Sequence, residues 1–187
     1  MIGLGILIVL IVLIVAVGGW LMLTYNGLVR LRNLVEEAWS GIDVQLKRRA
    51  NLIPNLIETV KGYMTHEREL LEKVTELRSK AMKAEKVGEK AQLEGALSRS
   101  LANIMAVAEG YPDLKANQNF LDLQGQLAKI EDEIQLARRY YNGTVRNLNI
   151  KIESFPSNIV ANMFHFTKAE FFEIEDAADR EVPKVKF

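Results

Sequence analysis

Carboxylates, imidazoles and guanidiniums are the side chains of this sequence that could do chemistry, so their spacing comes first. Glu131, Asp132 and Glu133 stand together, Glu67 and Glu69 form a second acidic group, and the histidines are His66 and His165. A di-metal helical bundle would place a Glu three residues before a His on facing helices. Tyr63 occupies that position before His66 and Asn162 before His165, and His66-Glu67 lacks the second histidine of a helical zinc motif. These acids therefore read as a solvated helix face. The absence of cysteine excludes disulfides, thiol nucleophiles, thiolate zinc sites and lipidation on sulfur. No glycine-rich phosphate loop and no suggestive Ser-His-Asp order is present, and Asn142-Gly143-Thr144 matches a glycosylation sequon by chance. No catalytic residue, cofactor or metal is expected.

The densest polar cluster is Asp43, Gln45, Lys47, Arg48, Arg49, Asn51 and Asn55, with Pro54 inside it. As a functional patch it would bind lipid headgroups or a partner. If one helix runs on from Leu23, Arg48 lies about 40 Å beyond it at 1.5 Å per residue, too far for headgroups across a Debye length of about 8 Å. A protein contact or an ion pair within the fold suits it better. The preferred account is a hydrogen-bonded network around a kink at Pro54, with solvated charges about it.

Those residues need elements to position them. From Leu28 onward, apolar residues recur at Leu31, Val35, Trp39, Ile42, Leu46, Ile53, Leu56, Val60 and Met64, alternating by three and four with charges between. This is one face of an amphipathic helix. Pro54 should kink or restart it, because proline removes an amide donor and crowds the preceding turn. Gly88, among dense charges, places a turn between about Lys83 and Lys90. A second stripe, Leu93, Leu97, Leu101, Ile104 and Ala108, stops at Gly110-Tyr111-Pro112. A third, capped by Asn117 or Asn119, runs Phe120, Leu123, Leu127, Ile130, Ile134, Ala137, Tyr141, Val145, Leu148 and Ile152 until Pro156 ends it. Three long helices of this kind bury their stripes against one another. A short helix near Ser157 and an aromatic stretch from Phe155 through Ile159, Val160, Met163, Phe164, Phe166, Phe171 and Phe172 should close the end of the bundle, before an extended tail around Val182-Pro183-Lys184.

Ahead of all this, Ile2 to Leu23 carries no charge and is dominated by Leu, Ile and Val. As a helix it is about 33 Å long, enough for a hydrocarbon core of about 30 Å. Trp20 and Tyr25 suit the headgroup zone, and Arg30 and Arg32 can touch headgroups at about 1 kcal/mol each on an anionic leaflet. A cleaved signal would need a basic start, a shorter run and a better small-x-small site than Ala16-Val17-Gly18, so a retained anchor is expected. The first segment lacks Gly-x-x-x-Gly, which leaves tight pairing through it unencoded. The reading is thus all-α: residues 1–24 a transmembrane helix, continuing into an antiparallel bundle of long helices over 25–187. Basic residues follow the span and none precedes it, which puts the domain of a single-pass protein on the cytoplasmic side of the cell (inner) membrane; a periplasmic placement stays open, since the bias fades for large domains. Lys plus Arg and Asp plus Glu both number 24, so no basic surplus invites nucleic acid.

Several segments carry a resemblance: Tyr25-Asn26-Gly27-Leu28-Val29, Arg32-Asn33, Glu36 through Arg49, Asn51-Leu52-Ile53-Pro54-Asn55-Leu56-Ile57 and Val60-Lys61-Gly62-Tyr63. Tyr111-Pro112-Asp113-Leu114-Lys115-Ala116-Asn117, Ala137-Arg138-Arg139-Tyr140-Tyr141-Asn142 and Phe155-Pro156-Ser157-Asn158 extend it over nearly the whole chain. The sequence resembles the LemA family of bacterial membrane proteins. That resemblance implies a single-pass anchor and an antiparallel helical bundle. It implies no settled activity, though one branch is linked to building magnetosome membranes.

Three functions follow as expectations. The first is a non-enzymatic scaffold that lies in the bilayer, self-associates into homo-oligomers through coiled-coil-like helices and organises membrane. The second is an adaptor for another membrane protein such as a protease, using the patch near Arg48 and the tail from Glu173 to Phe187. An enzyme ranks last.

Overall fold

The computed structural model describes residues 2–173. They are all-helical, with no strand among them: α1 (Ile2–Lys61), α2 (Arg68–Lys83), α3 (Val87–Ala108), α4 (Pro112–Lys115), α5 (Gln118–Glu153) and α6 (Ser157–Met163). The expected tail around Val182-Pro183-Lys184 lies outside the described residues. Two compact units divide the chain: one takes the residues up to Trp39 with Tyr140–Ala169, the other takes Ser40–Arg139 and the residues from Glu170 on.

In the first unit, α1 begins as a helix with no protein around it. Leu4 through Val17 and on to Met22 and Leu23 show their large apolar side chains, and Thr24 is the first buried residue. This is the one helix, among the described residues, long and apolar enough to cross a membrane. Beyond Thr24 its apolar surface narrows to a stripe, and Leu28, Val35 and Ala38 are buried. From α5, Tyr141, Val145, Leu148 and Ile152 supply the rest of this core, and Val160 and Ala161 supply it from α6. The Trp39 and Tyr141 rings pack 5.5 Å apart, centroid to centroid, in a tilted pair.

Hydrogen bonds shape the end of α5. Its last carbonyls have no helical partner, and the Ser157 hydroxyl donates to the carbonyls of Lys151 (2.7 Å) and Ser154 (2.9 Å). α6 then closes in a left-handed turn: the Phe166 amide donates to Ala161 O (2.9 Å), the His165 amide to Asn162 O (3.3 Å), and His165 itself has φ 56°. This is the Schellman pattern, with His165 at the position glycine usually takes. Asn149 holds the chain that follows, donating from Nδ2 to Ala169 O (3.0 Å) and accepting from Ala169 N (2.9 Å).

In the second unit, α1, α2, α3 and α5 alternate in direction. Asp43 meets Lys90 and Arg49 meets Glu94, so α1 and α3 run the same way; Arg48 meets Glu133 and Tyr63 meets Asn117, so α5 runs against them. The three-residue connection 84–86 turns α2 back into α3. Ile53, Leu56, Val60 and Met64 pack with Leu71, Val74, Leu97, Leu101, Ile104, Leu114, Phe120 and Leu127 in one core. Asn117 joins two ends of it, capping α5 through Phe120 N (3.2 Å) and donating to Tyr63 Oη (3.1 Å).

Two expectations change. The structure has four long helices among the described residues where the periodicity gave three, because the first amphipathic stretch breaks at residues 62–67 and not at Pro54. Met64 is buried in phase with Val60, so the apolar spacing runs unbroken across the interruption. Nor do all the C-terminal aromatics close a core: Phe172 is buried, but Phe155 and Phe164 are exposed. Leu97→Ala, at a position 1% exposed, is expected to destabilise the second unit by about 2–5 kcal/mol through lost burial and a residual cavity, read as a lower urea midpoint for the full chain in mild detergent.

Candidate functional site

The polar cluster predicted around Arg48 resolves into a seam where α1, α3 and α5 face one another in the second unit. Arg49 is its centre. Its side chain is 2% exposed, and its two terminal nitrogens each take a carboxylate: Nη2 pairs with Glu94 Oε2 and Nη1 with Glu131 Oε2, both at 2.5 Å. Nη1 also donates to Ser98 Oγ (2.5 Å), and Nη2 to the Glu94 carbonyl (3.3 Å). Three helices are thus tied at one guanidinium, whose planar fork suits such branching as an ammonium does not.

Flanking it, Arg48 reaches across to Glu133 (2.7 Å) and donates to its own helix at Gln45 Oε1 (2.9 Å). Asp43 accepts from Lys47 (2.5 Å), one turn on, and from Lys90 of α3 (2.7 Å). Burial works to raise the Asp43 carboxyl, but the hydrogen bonds and charges of Lys47 and Lys90 prevail and hold it below its ordinary value of 3.8.

Asn51, Pro54 and Asn55 are not part of this seam; all three are exposed on the outer side of α1. Pro54 acts at a distance of one turn. Having no amide hydrogen, it leaves the carbonyl of Ala50 without its helical donor, and Arg78 of α2 supplies one, Nε to Ala50 O at 2.6 Å. The helix continues through Pro54 to Lys61 without restarting.

Sequence reasoning missed Glu94, Ser98, Lys90 and Arg78 as partners, and it took Glu131 and Glu133 for a solvated face. A signal for the seam was present. The α1 stripe skips from Leu46 to Ile53, and Arg49 fills the missing three-four position; Glu94 sits three residues before Leu97 on the buried side of α3. Among the described residues, no three metal-capable side chains gather. Along α2, an open groove lined by Ile57, Met64, Leu71 and Thr75 is rimmed by paired charges, Arg68 with Glu72 and Glu76 with Lys80.

The expected membrane-interface residues lie in the first unit. Trp20 is half-buried in a cleft shared with Thr24, Ile150, Phe155 and Pro156. The Tyr25 ring packs on Phe164 (4.7 Å) and edge-on to Phe166 (5.8 Å), and the Arg32 guanidinium stands 5.4 Å from the Phe166 ring centre. Arg30 is exposed.

The family model for the LemA family matches residues 38–187. The chain belongs to the LemA family. Among curated proteins it is similar to Protein LemA of Metamycoplasma hominis, 31% identical over 156 residues, covering 81% of this chain and 69% of the other. It is also similar to Magnetosome protein MamQ 2 of Paramagnetospirillum magneticum, 26% identical over 192 residues (89% and 71% covered), and to Magnetosome protein MamQ of Magnetospirillum gryphiswaldense, 23% identical over 185 residues (85% and 68% covered). It is a membrane-associated helical protein of that family. The matched span takes in every residue of the Arg49 seam, so the seam lies within the family domain.

Arg49→Ala would leave Glu94 buried without its partner, and is expected to destabilise the second unit by about 3–5 kcal/mol; Arg49→Met with Glu94→Leu should recover most of that, as compared by urea denaturation. Because the folded Asp43 carboxyl sits below its ordinary 3.8, the stability it adds is present above that value and is lost as pH falls through the folded one. Asp43→Asn should therefore flatten the acid limb of the stability profile between about pH 5 and about pH 2, measured by the same denaturation series.

Proposed function

We propose that this chain is a non-enzymatic, single-pass scaffold of the cell membrane that self-associates and organises the bilayer around it. The observation that carries the reading is the first stretch of α1. Its large apolar side chains from Leu4 to Val17 have no protein over them, and water is a poor solvent for a surface of that size. Lipid is the solvent that matches its length and composition.

What the helix carries supports a structural rather than a chemical role. Arg48 with Glu133, Arg49 with Glu94 and Glu131, and Asp43 with Lys90 are spent on each other. Charges so paired hold helices in place and are poor acids, bases or nucleophiles. The basic residues after the span favour a cytoplasmic domain. The magnetosome names of two relatives fit a role in membrane organisation.

Full-length protein in mild detergent is expected to give discrete particles of several copies by mass photometry. A strict monomer at every concentration would overturn self-association and leave the adaptor reading, for which crosslinking in native membranes should then recover a second membrane protein.

A further inference from the structure

We propose that the end of α5 and the whole of α6 form a second membrane contact, a shallow apolar foot that rests in the headgroup region beside the anchor. The inference rests on the reading of α1 as a membrane anchor.

The sequence of the foot differs from the rest of the domain. No Asp, Glu, Lys or Arg occurs between Glu153 and Lys168, in a chain of which 26% is charged. α6 divides its faces as an amphipathic helix does. Ser157, Val160 and Ala161 point inward and are buried, while Ile159 and Met163, one turn apart, point out and are 48% and 57% exposed. Phe155 before it is 81% exposed and Phe164 after it 50%. The left-handed turn at His165 sets Phe164 and Phe166 against Tyr25.

The occupant of this surface is indicated by its neighbour. Within the same unit, Phe155 lines one cleft with Trp20 and Thr24, where the exposed apolar surface of α1 gives way to the buried stripe. The apolar face of the foot is therefore continuous with the surface assigned to lipid. Arg32, over the Phe166 ring, and Lys168, paired with Glu153 at 2.7 Å, border it. Aromatic and aliphatic side chains edged by basic ones are the composition of an interfacial helix, which buries its apolar face about 5–10 Å into the headgroup and acyl boundary.

The lack of cysteine permits a direct test with the full chain in vesicles of phosphatidylcholine and phosphatidylglycerol. Phe155→Cys, Met163→Cys, Val12→Cys and Met82→Cys each receive an environment-sensitive fluorophore. Labels at 155 and 163 should be quenched strongly by lipids spin-labelled near the headgroup, and severalfold less than the Met82 label by aqueous iodide; the Val12 label should be quenched by lipids labelled deep in the chain. If Val12 behaves so but 155 and 163 are quenched by iodide as strongly as 82, the foot is wrong and the anchor stands. Protection of 155 and 163 from both quenchers would mean that protein covers them, and would also overturn the foot. A Val12 label open to iodide would remove the anchor and this inference together.

Discussion

The fold rests on a change in how much of α1 is apolar. Up to Leu23 the helix is apolar all round and as far as Val17 carries no protein; from Thr24 it keeps a narrow stripe, and in each unit the other helices pack on that stripe. A helix presents one face per 3.6 residues, so a three-four spacing can be covered by neighbours, whereas a full apolar circumference needs a solvent of its own. The same helix therefore serves two media, and the residues between Trp20 and Leu28 mark the transition. Isolated helices as short as α2 are marginal in water, and they persist here because the stripe offers a surface to bury against.

Arg49 adds a different kind of constraint. Aliphatic stripes pack in several registers at similar cost, but a buried guanidinium with two carboxylates does not. Moving α3 by a turn would strand buried Glu94 away from its counter-charge, moving α5 would take Glu131 off the buried guanidinium, and an unpaired buried charge is among the most destabilising features a core can hold. Such a group adds little net stability over well-packed hydrocarbon. Its effect is on which arrangement of the helices is lowest in energy. The peripheral pairs, Asp43 with Lys90 and Arg48 with Glu133, repeat the same instruction more weakly, because water screens them.

Much of this was legible in the residues. Nearly every position of the three-four stripes is buried, Asn117 caps α5 as its side chain suggests, and the short helix begins at Ser157 as expected. The break after Lys61 was hidden because Met64 stays in phase, so periodicity saw one helix where the backbone makes two. Pro54, the obvious breaker, was misleading for the opposite reason: the carbonyl it orphans has another donor. Arg49 was expected in a polar network but not as a buried core position, and Glu94 went unremarked, because charge reads as surface, although both stand in gaps of apolar stripes. The exposure of Phe155 and Phe164 had no signal in a rule that sends aromatics to the core.

Pro54 has one further consequence for how α1 and α2 recognise each other. Proline usually counts as a fault in a helix, yet here it uncovers a single carbonyl along an otherwise uniform rail, and Arg78 locks onto it like a key in a slot. Sliding α2 by one helical turn, about 5.4 Å, would carry the guanidinium to carbonyls that already accept an amide of their own helix, and would leave Ala50 O without a donor. Two smooth cylinders thereby acquire a graduation mark, and their alignment is read from an absent hydrogen atom.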